Sequence, residues 1–150
     1  MKFVLALAIV IVLFGADMKL KNSKLPKKLG VSNGRLSELP NSPNGVSTQT
    51  SQTNKLVDVL KYKEDGKITR EKIKKICMDF ANSKLEAEND FYMRFVFTTE
   101  KMKYKDDVEF LFDDENKVVH YRSNSRVGYS DMGLNMERYL KIVDSYTNKV

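Results

Sequence analysis

An alternation of apolar and polar residues in the middle of the chain constrains the fold more than any other feature. Apolar side chains occupy every second position across Phe91–Phe97 and again across Val108–Phe112. A period of two is typical of β-strands that bury one face. The polar stretch 113–117 is typical of a hairpin turn. We therefore expect half-buried antiparallel strands here, with further strands at 84–88 and 118–123.

Apolar residues at helical spacing lie on both sides of these strands. The first stripe follows Thr69, which is suited to be an N-cap, and consists of Ile73, Ile76, Cys77 and Phe80. The second begins near Asn135, also a suitable cap, and consists of Met136, Tyr139, Leu140, Val143 and Tyr146. A short strand is expected within 56–62. The pattern predicts an α+β fold: an antiparallel sheet of about five strands with two helices packed on one face.

The start of the chain predicts an additional N-terminal membrane helix. Phe3–Ala16 is an unbroken apolar run that follows Lys2, as in a signal segment. A helix of this length spans about 21 Å, and extension to residue 20 brings it closer to the roughly 30 Å of a bilayer core. Cleavage after Ala16 would place bulky Phe14 where a small residue is preferred. We expect residues 1–20 to form a membrane anchor or uncleaved signal segment, with a cleaved, secreted protein as the alternative.

The positive charge of the chain is concentrated near that segment. Of the formal net charge of +6, residues 1–54 contribute +5, from seven basic and two acidic side chains. Basic residues after an apolar run are typical of contacts with lipid headgroups, so we expect Lys19–Lys28 to contact the membrane. The remainder is nearly neutral, which argues against nucleic-acid binding. We divide the chain into the anchor, a basic juxtamembrane linker at 21–34 and a single α+β domain at 35–150.

The polar segment Tyr121–Tyr139 is the candidate functional surface. It concentrates arginine, serine and glycine residues between the last strand and the last helix. Gly128 and Gly133 allow a tight loop beside the positive end of that helix, where an anion is favoured. The candidate ligand-binding residues are Arg122, Ser123, Arg126, Tyr129, Asp131, Asn135 and Arg138. The alternative is a purely structural role, in which Asp131 or Asp107 neutralises the arginines.

The sequence contains no complete catalytic set. Cys77 is the only cysteine and His120 the only histidine, so we expect no metal site and no cofactor. No strand-turn-helix serine motif is present, and the acidic clusters lack the spacing of a calcium loop. Cys77 lies on an apolar helix face, which predicts a buried side chain rather than a reactive thiolate.

Three ordered blocks of the sequence resemble one known family. RSNSRVGYSDMGLNMERY at 122–139 resembles the hallmark of the domain of unknown function 1499 family. LPNSPNGVSTQT at 39–50 and VFTTEKMKYKDDVEF at 96–110 resemble its other two blocks. The resemblance extends from Arg35 to the C-terminus. Many relatives have cysteines where this chain has Leu39 and Gly45, so thiol chemistry is not carried over.

The resemblance implies a bacterial envelope setting and favours the extracytoplasmic side for the domain, but it implies no established activity. It also implies that residues 39–51 lie against the domain as an ordered strap. Our first hypothesis is a membrane-anchored, non-enzymatic binding or scaffolding module that accepts an anionic ligand or an envelope protein. The alternative is an enzyme acting on an envelope or lipid-linked anionic substrate, with Asp131 as acid or base.

Overall fold

Short strands occupy the N-terminal part of the chain, and the longer strands and helices follow. The computed structural model describes residue 13 and residues 15–148, and the structural statements below refer to them. The helices are α1 (15–23), α2 (Gly66–Met78) and α3 (Leu134–Asn148), with a 3-10 turn at Thr53–Lys55. The strands are β1 (Val31–Ser32), β2 (Arg35–Leu36), β3 (Gly45–Ser47), β4 (Leu60–Lys61), β5 (Ser83–Glu88), β6 (Tyr92–Thr98), β7 (Lys105–Asp113) and β8 (Val118–Ser125).

The main sheet is antiparallel and has the strand order β3-β8-β7-β6-β5, with β4 also pairing with β8. The predicted α+β class is confirmed, but six strands are present instead of about five. The additional strand arises because β3, from the proline-containing strap, pairs Gly45 with Asn124. The strand expected within 56–62 is reduced to β4, where Leu60 pairs with Val119. β1 and β2 form a separate hairpin.

One face of the sheet carries the hydrophobic core beneath α2 and α3. The two helices and β6, β7 and β8 contribute to a single apolar cluster. Its centre contains Phe95 and Phe110, whose rings meet edge to face at 6.2 Å, with Ile73 from α2 and Ile142 from α3 completely buried. Each such side chain contributes about 1.5–3 kcal/mol of burial free energy. This face therefore supplies most of the apolar stabilisation.

The opposite face of β6 and β7 is also buried, so the prediction of half-buried strands is wrong. Residues from the N-terminal segment cover it: Leu36 packs with Tyr92 and Leu111, and the Gly30 amide donates to Glu109 Oε1 at 2.6 Å. Glu109, which lies between the apolar residues Val108 and Phe110 along β7, is completely buried. The alternation is still present, but it separates an apolar face from a face that mixes polar and apolar side chains, and both faces are buried.

Neither long helix is capped by the residue predicted, although α3 begins at Leu134, next to its expected start near Asn135. α2 has Asp65 as its N-cap, whose side chain accepts from the Ile68 amide at 2.8 Å. Thr69 lies inside the helix, and its hydroxyl bonds to the backbone N–H and C=O of Lys63 at 2.9 and 3.0 Å. Asn135 is likewise inside α3. The buried stripe of α3 includes Asn135 and Arg138, whereas Leu140, predicted to be buried, is 56% exposed.

The predicted membrane segment at residues 1–20 lies largely outside the described residues. Within residues 13 and 15–148, no helix combines the length and the apolar character needed to cross a bilayer. α1 is mostly exposed along residues 15–21. Its Asn22 side chain donates to the Lys103 carbonyl at 2.7 Å and accepts from the Lys105 amide at 2.8 Å. The end of α1 is thereby attached to the loop between β6 and β7.

Candidate functional site

Asn135, completely buried in the first turn of α3, is the centre of a polar network on the helix side of the sheet. Its side-chain N–H groups donate to Ser125 Oγ at 3.0 Å, to the Asn44 carbonyl at 3.1 Å and to Asp131 Oδ2 at 2.6 Å. Its carbonyl oxygen accepts from Ser123 Oγ and from Arg138 Nη1. We call these residues, together with Asp106, the Asn135 cluster. It joins the strap, β8 and α3.

Asp131 occupies the anion position at the start of α3. Its carboxylate accepts from the Gly133 amide at 3.0 Å and from the Asn135 amide at 2.9 Å, in addition to the Asn135 side chain. Amide groups at a helix N-terminus favour negative charge. The sequence predicted an external anion at this place, but the chain's own carboxylate fills it. Gly133, at φ +84°, makes the tight turn that brings Asp131 back to the helix.

Arg138 forms the charged part of the cluster. Its Nη2 donates to Asp106 Oδ2 at 2.6 Å, and its Nη1 donates to Ser123 Oγ at 3.2 Å as well as to Asn135. The guanidinium also lies 4.7 Å from the ring centroid of Phe97, a cation–π geometry. Asp106 and Arg138 are both buried, and each is stabilised by the opposite charge of the other.

A cleft of about 690 Å³ opens above this cluster. The loop 99–105, which includes the first residue of β7, borders one side. The loop 127–134, which includes the first residue of α3, borders the other. Apolar side chains contribute most of the walls, among them Phe97, Val127 and Leu134, while Ser125 and Arg138 contribute polar atoms. The ends of β6 and β8 and the start of α3 therefore surround one amphipathic cavity.

A second polar network lies on the other face of the sheet. Arg126 binds Asp107 through two contacts, Nε to Oδ2 at 2.7 Å and Nη2 to Oδ1 at 2.9 Å, and Arg94 Nη1 donates to the same carboxylate at 2.9 Å. Next to it, Arg122 Nη1 donates to Glu109 Oε2 at 2.6 Å. We call these five residues the arginine layer.

Tyr92 and the N-terminal segment complete the arginine layer. The Tyr92 hydroxyl donates to Glu109 Oε1 at 2.8 Å, and burial, together with the charge of Glu109, raises the pKa of Tyr92. The Gly30 amide shares the same carboxylate oxygen. Arg126 Nη1 also lies 3.4 Å from the Asn22 and Lys24 carbonyls. The N-terminal residues are thus held on the sheet by buried charge as well as by apolar contact.

The seven residues predicted to bind a ligand do not form one group. Ser123, Asp131, Asn135 and Arg138 meet in the Asn135 cluster, whereas Arg122 and Arg126 belong to the arginine layer on the opposite face. Tyr129 is 79% exposed. The sequence offered Asp131 or Asp107 as the residue that neutralises the arginines. In the structure, Asp107 is the counter-charge of Arg126, whereas Asp131 accepts hydrogen bonds at the start of α3.

Sequence reasoning missed the roles of Asp106, Asn44 and Ser125. Asp106 pairs with Ser125 across β7 and β8, one position before the Asp107 to Asn124 pair. Because side chains alternate between the two faces of a strand, Asp106 and Asp107 point to opposite sides. The two adjacent aspartates were the sequence feature that could have indicated two networks, because Asp106 binds Arg138 in one and Asp107 binds Arg126 in the other.

Two further titratable side chains lie outside the cleft and outside both polar networks. His120 is partly buried, which lowers its pKa, and its Nδ1 lies 3.3 Å from Thr48 Oγ1. Cys77 is completely buried in the core, and this burial raises the pKa of its thiol. Among the described residues, no group of three or more His, Cys, Asp and Glu side chains is arranged to hold a metal ion.

Comparison with known proteins gives one match. A protein-family model described as "Protein of unknown function (DUF1499)" matches residues 35–145. Neither a curated protein nor a solved structure matches the chain. The matched range contains the strap, the cleft and all five residues of the arginine layer.

Proposed function

Because the chain belongs to the DUF1499 family, whose description assigns no activity, we propose a function from the geometry of its own residues. The protein is a non-enzymatic binding module that holds an amphipathic ligand in the cleft between the loops 99–105 and 127–134. The observation that carries this proposal is a cavity of about 690 Å³ with largely apolar walls and a few polar groups at one side. Sites for small ligands commonly have this size and composition.

The charge at the cleft indicates which part of the ligand is recognised. The charged residues that border it are three basic and three acidic side chains: Lys101, Arg138, Lys141, Glu100, Asp106 and Asp131. Arg138 is already paired with Asp106, and Asp131 already accepts three hydrogen bonds. A ligand with an apolar body and an uncharged, hydrogen-bonding group fits this lining better than the anion expected from the sequence.

The same contacts favour binding over catalysis. A carboxylate that acts as an acid or base must have an oxygen available to the reacting group. Both oxygens of Asp131 are used by the start of α3, and the buried thiol of Cys77 lies in the core. The Asn135 cluster therefore supports the cleft by fixing the positions of its walls.

A matched pair of fluorescent probes tests the ligand class. N-phenylnaphthylamine and anilinonaphthalene sulfonate share an apolar skeleton, and only the second carries a negative charge. We expect residues 22–150 to enhance the emission of the neutral probe saturably and to bind the sulfonate more weakly. Val127→Trp should fill the cleft and abolish the enhancement, whereas Val59→Trp, at an exposed site outside the cleft, should not.

The result that would refute the binding proposal is equal probe binding by both tryptophan variants. Tighter binding of the sulfonate than of the neutral probe would instead favour the anionic ligand that the sequence predicted. Circular dichroism and the melting temperature of each variant show whether loss of binding reflects loss of the fold.

We further propose that residues 1–20 attach this module to a membrane of the bacterial envelope, with the domain on the extracytoplasmic side. The apolar run Phe3–Ala16 and the basic residues at Lys19–Lys28 support attachment. The family resemblance supports the side. Protease added to spheroplasts should digest the domain. Protection until the membrane is permeabilised would place it on the cytoplasmic side.

A further inference from the structure

Three segments that are distant in sequence meet at one end of the main sheet. The loops 99–105 and 127–134 face each other across the cleft. The end of α1 is attached to the first of these loops through the two hydrogen bonds of Asn22 with Lys103 and Lys105. We call this end, consisting of residues 22–24, 99–105 and 126–133, the rim face.

Large apolar side chains are exposed on both loops of the rim face. Met132 is 97% exposed, and Met102, on the facing loop, is 63% exposed. Tyr129, between two residues that border the cleft, is also exposed. Single exposed apolar residues are common on protein surfaces. A group of them around the mouth of one cleft is instead typical of an interaction site.

Basic side chains are interleaved with these apolar ones. In the loop 99–105, Lys101, Lys103 and Lys105 alternate with Met102 and Tyr104, and Glu100 is the single acidic residue. Lys24 follows α1 at the rim face, and Lys27 and Lys28 come next along the chain, before Gly30 reaches Glu109 in the middle of β7. In the rim-face segment 126–133, Arg126 and Asp131 are the charged residues. A basic surface with protruding apolar side chains complements anionic headgroups above a hydrocarbon layer.

The course of the chain points to the same partner. α1 leaves the domain at the rim face, and its residues 15–21, Leu20 among them, are mostly exposed. The residues before it continue into the apolar run Phe3–Ala16. An apolar segment of this length partitions into a bilayer, and its insertion would bring the rim face toward the bilayer surface.

We propose that the rim face docks on a bilayer that contains anionic lipids. Met102, Tyr129 and Met132 enter the headgroup layer, and Lys24 and the lysines of 99–105 contact lipid phosphates. Docking goes beyond the proposed ligand binding, because it does not require an occupied cleft, and it rests on the proposed attachment of residues 1–20 to a membrane. Its consequence for the cleft is that the mouth faces lipid, so that an amphipathic ligand can pass between bilayer and protein without crossing water.

Tryptophan reporters test the docking in the full chain, which contains no natural tryptophan. Met132→Trp is reconstituted in vesicles of phosphatidylcholine with phosphatidylglycerol, with or without bromine-labelled lipid. The control is Phe91→Trp, which is 50% exposed in the turn between β5 and β6, at the opposite end of the sheet. Interfacial apolar groups insert roughly 5–10 Å, so we expect bromine to quench Met132→Trp about twofold and the control little.

A second reporter and a charge variant separate the outcomes. Met102→Trp, on the facing loop, should be quenched like Met132→Trp. Lys101→Glu with Lys103→Glu should reduce the quenching of Met132→Trp, as should neutral vesicles. Quenching of both reporters no greater than that of Phe91→Trp overturns the docking. Equal quenching in neutral vesicles overturns the role of anionic lipid.

The outcomes distinguish this inference from the proposed function. If the full chain floats with the vesicles but the reporters are not quenched, and Val127→Trp still abolishes naphthylamine binding, the docking alone is wrong. If the reporters are quenched and the probe does not bind, the docking stands and the binding module is wrong. Circular dichroism of each reporter in vesicles confirms that it is folded.

Discussion

Arg126 and Asp107 form a two-point ion pair at the edge of the arginine layer, with N–O distances of 2.7 and 2.9 Å. Asp107 is completely enclosed and also accepts from Arg94. The two arginines therefore compensate one carboxylate from two sides. The pair holds the end of β8 against β7 and, through the Asn22 carbonyl, the N-terminal segment against both.

Removal of one member of this pair should be costly. Arg126→Ala leaves Asp107 with a single partner in a buried environment, and we expect the free energy of unfolding to fall by about 3 kcal/mol. Lys141→Ala is the control, because it breaks an exposed pair with Glu137 and should cost roughly 0.5 kcal/mol or less. Urea titration of both variants measures the difference. Equal losses would mean that the Arg126 pair contributes no more than a surface contact.

Asn135 should be among the least replaceable polar residues of the domain. Asn135→Ala removes the side chain that bonds to Arg138, Ser125 and Asp131, and each of these residues is left with an unmet hydrogen bond. We expect the free energy of unfolding to fall by about 3 kcal/mol. Asn148→Ala, which removes an exposed bond to Asp144, should be nearly neutral. Chemical denaturation compares the two. A loss for Asn135→Ala as small as that for Asn148→Ala would show that the cluster does not support the fold.

Gly45 should not tolerate even a methyl group. A Cβ at this position would lie 2.7 Å from both Asn124 Oδ1 and the Ser123 carbonyl, because β3 is pressed against β8. We expect Gly45→Ala to destabilise the domain by about 1–3 kcal/mol. Gly15→Ala, where a Cβ meets nothing within 4 Å, should have little effect. Thermal unfolding distinguishes them, and a neutral Gly45→Ala would contradict the close packing of the strap.

Glu38 should make stability depend on pH in the acidic range. Hydrogen bonds from Thr50 and from the Ser51 and Leu39 amides lower the pKa of Glu38 to about 2, against an ordinary value of 4.5. Because the folded state binds the proton more weakly, this stabilisation is present above about pH 4.5 and disappears as the pH falls to about 2.

Glu38→Gln removes the titrating group and is the control for this effect. The stability difference between the wild type and Glu38→Gln should be largest at neutral pH and should shrink between about pH 4.5 and 2. Its size is reduced by solvent screening, because Glu38 is exposed. A difference that is constant across this range would contradict the lowered pKa, which carboxyl NMR measures directly.

Local pattern predicted the strands and helices well, because periodicity depends on neighbours in sequence. β6 and β7 follow from the alternation at Phe91–Phe97 and Val108–Phe112. The start of α2 was misplaced because Gly66 resembles a turn residue. In the structure, Asp65 caps the helix by accepting from the Ile68 amide, and Gly66 begins it at a place where a Cβ would lie 2.5 Å from Asp114 Oδ1.

The candidate site was recognised as residues but not as geometry. A strand was predicted at 118–123, but the whole segment Tyr121–Tyr139 was treated as one surface, whereas β8 continues to Ser125 and alternates its side chains between the two faces of the sheet. Arg122 and Ser123 therefore point to opposite sides and join different networks. Their partners Glu109 and Asn135 are far away in sequence, and no local pattern specifies such contacts.

The pairing of β3 and β4 with β8 sets the order in which this protein can be completed. A chain that emerges N-terminus first, from a ribosome or a translocation channel, carries residues 45–47 long before residues 122–124 exist to pair with them. The sheet edge stays unfinished until the last strand arrives. The arrival of β8 supplies partners for both early strands at once, so the final third of the chain decides when the whole domain closes.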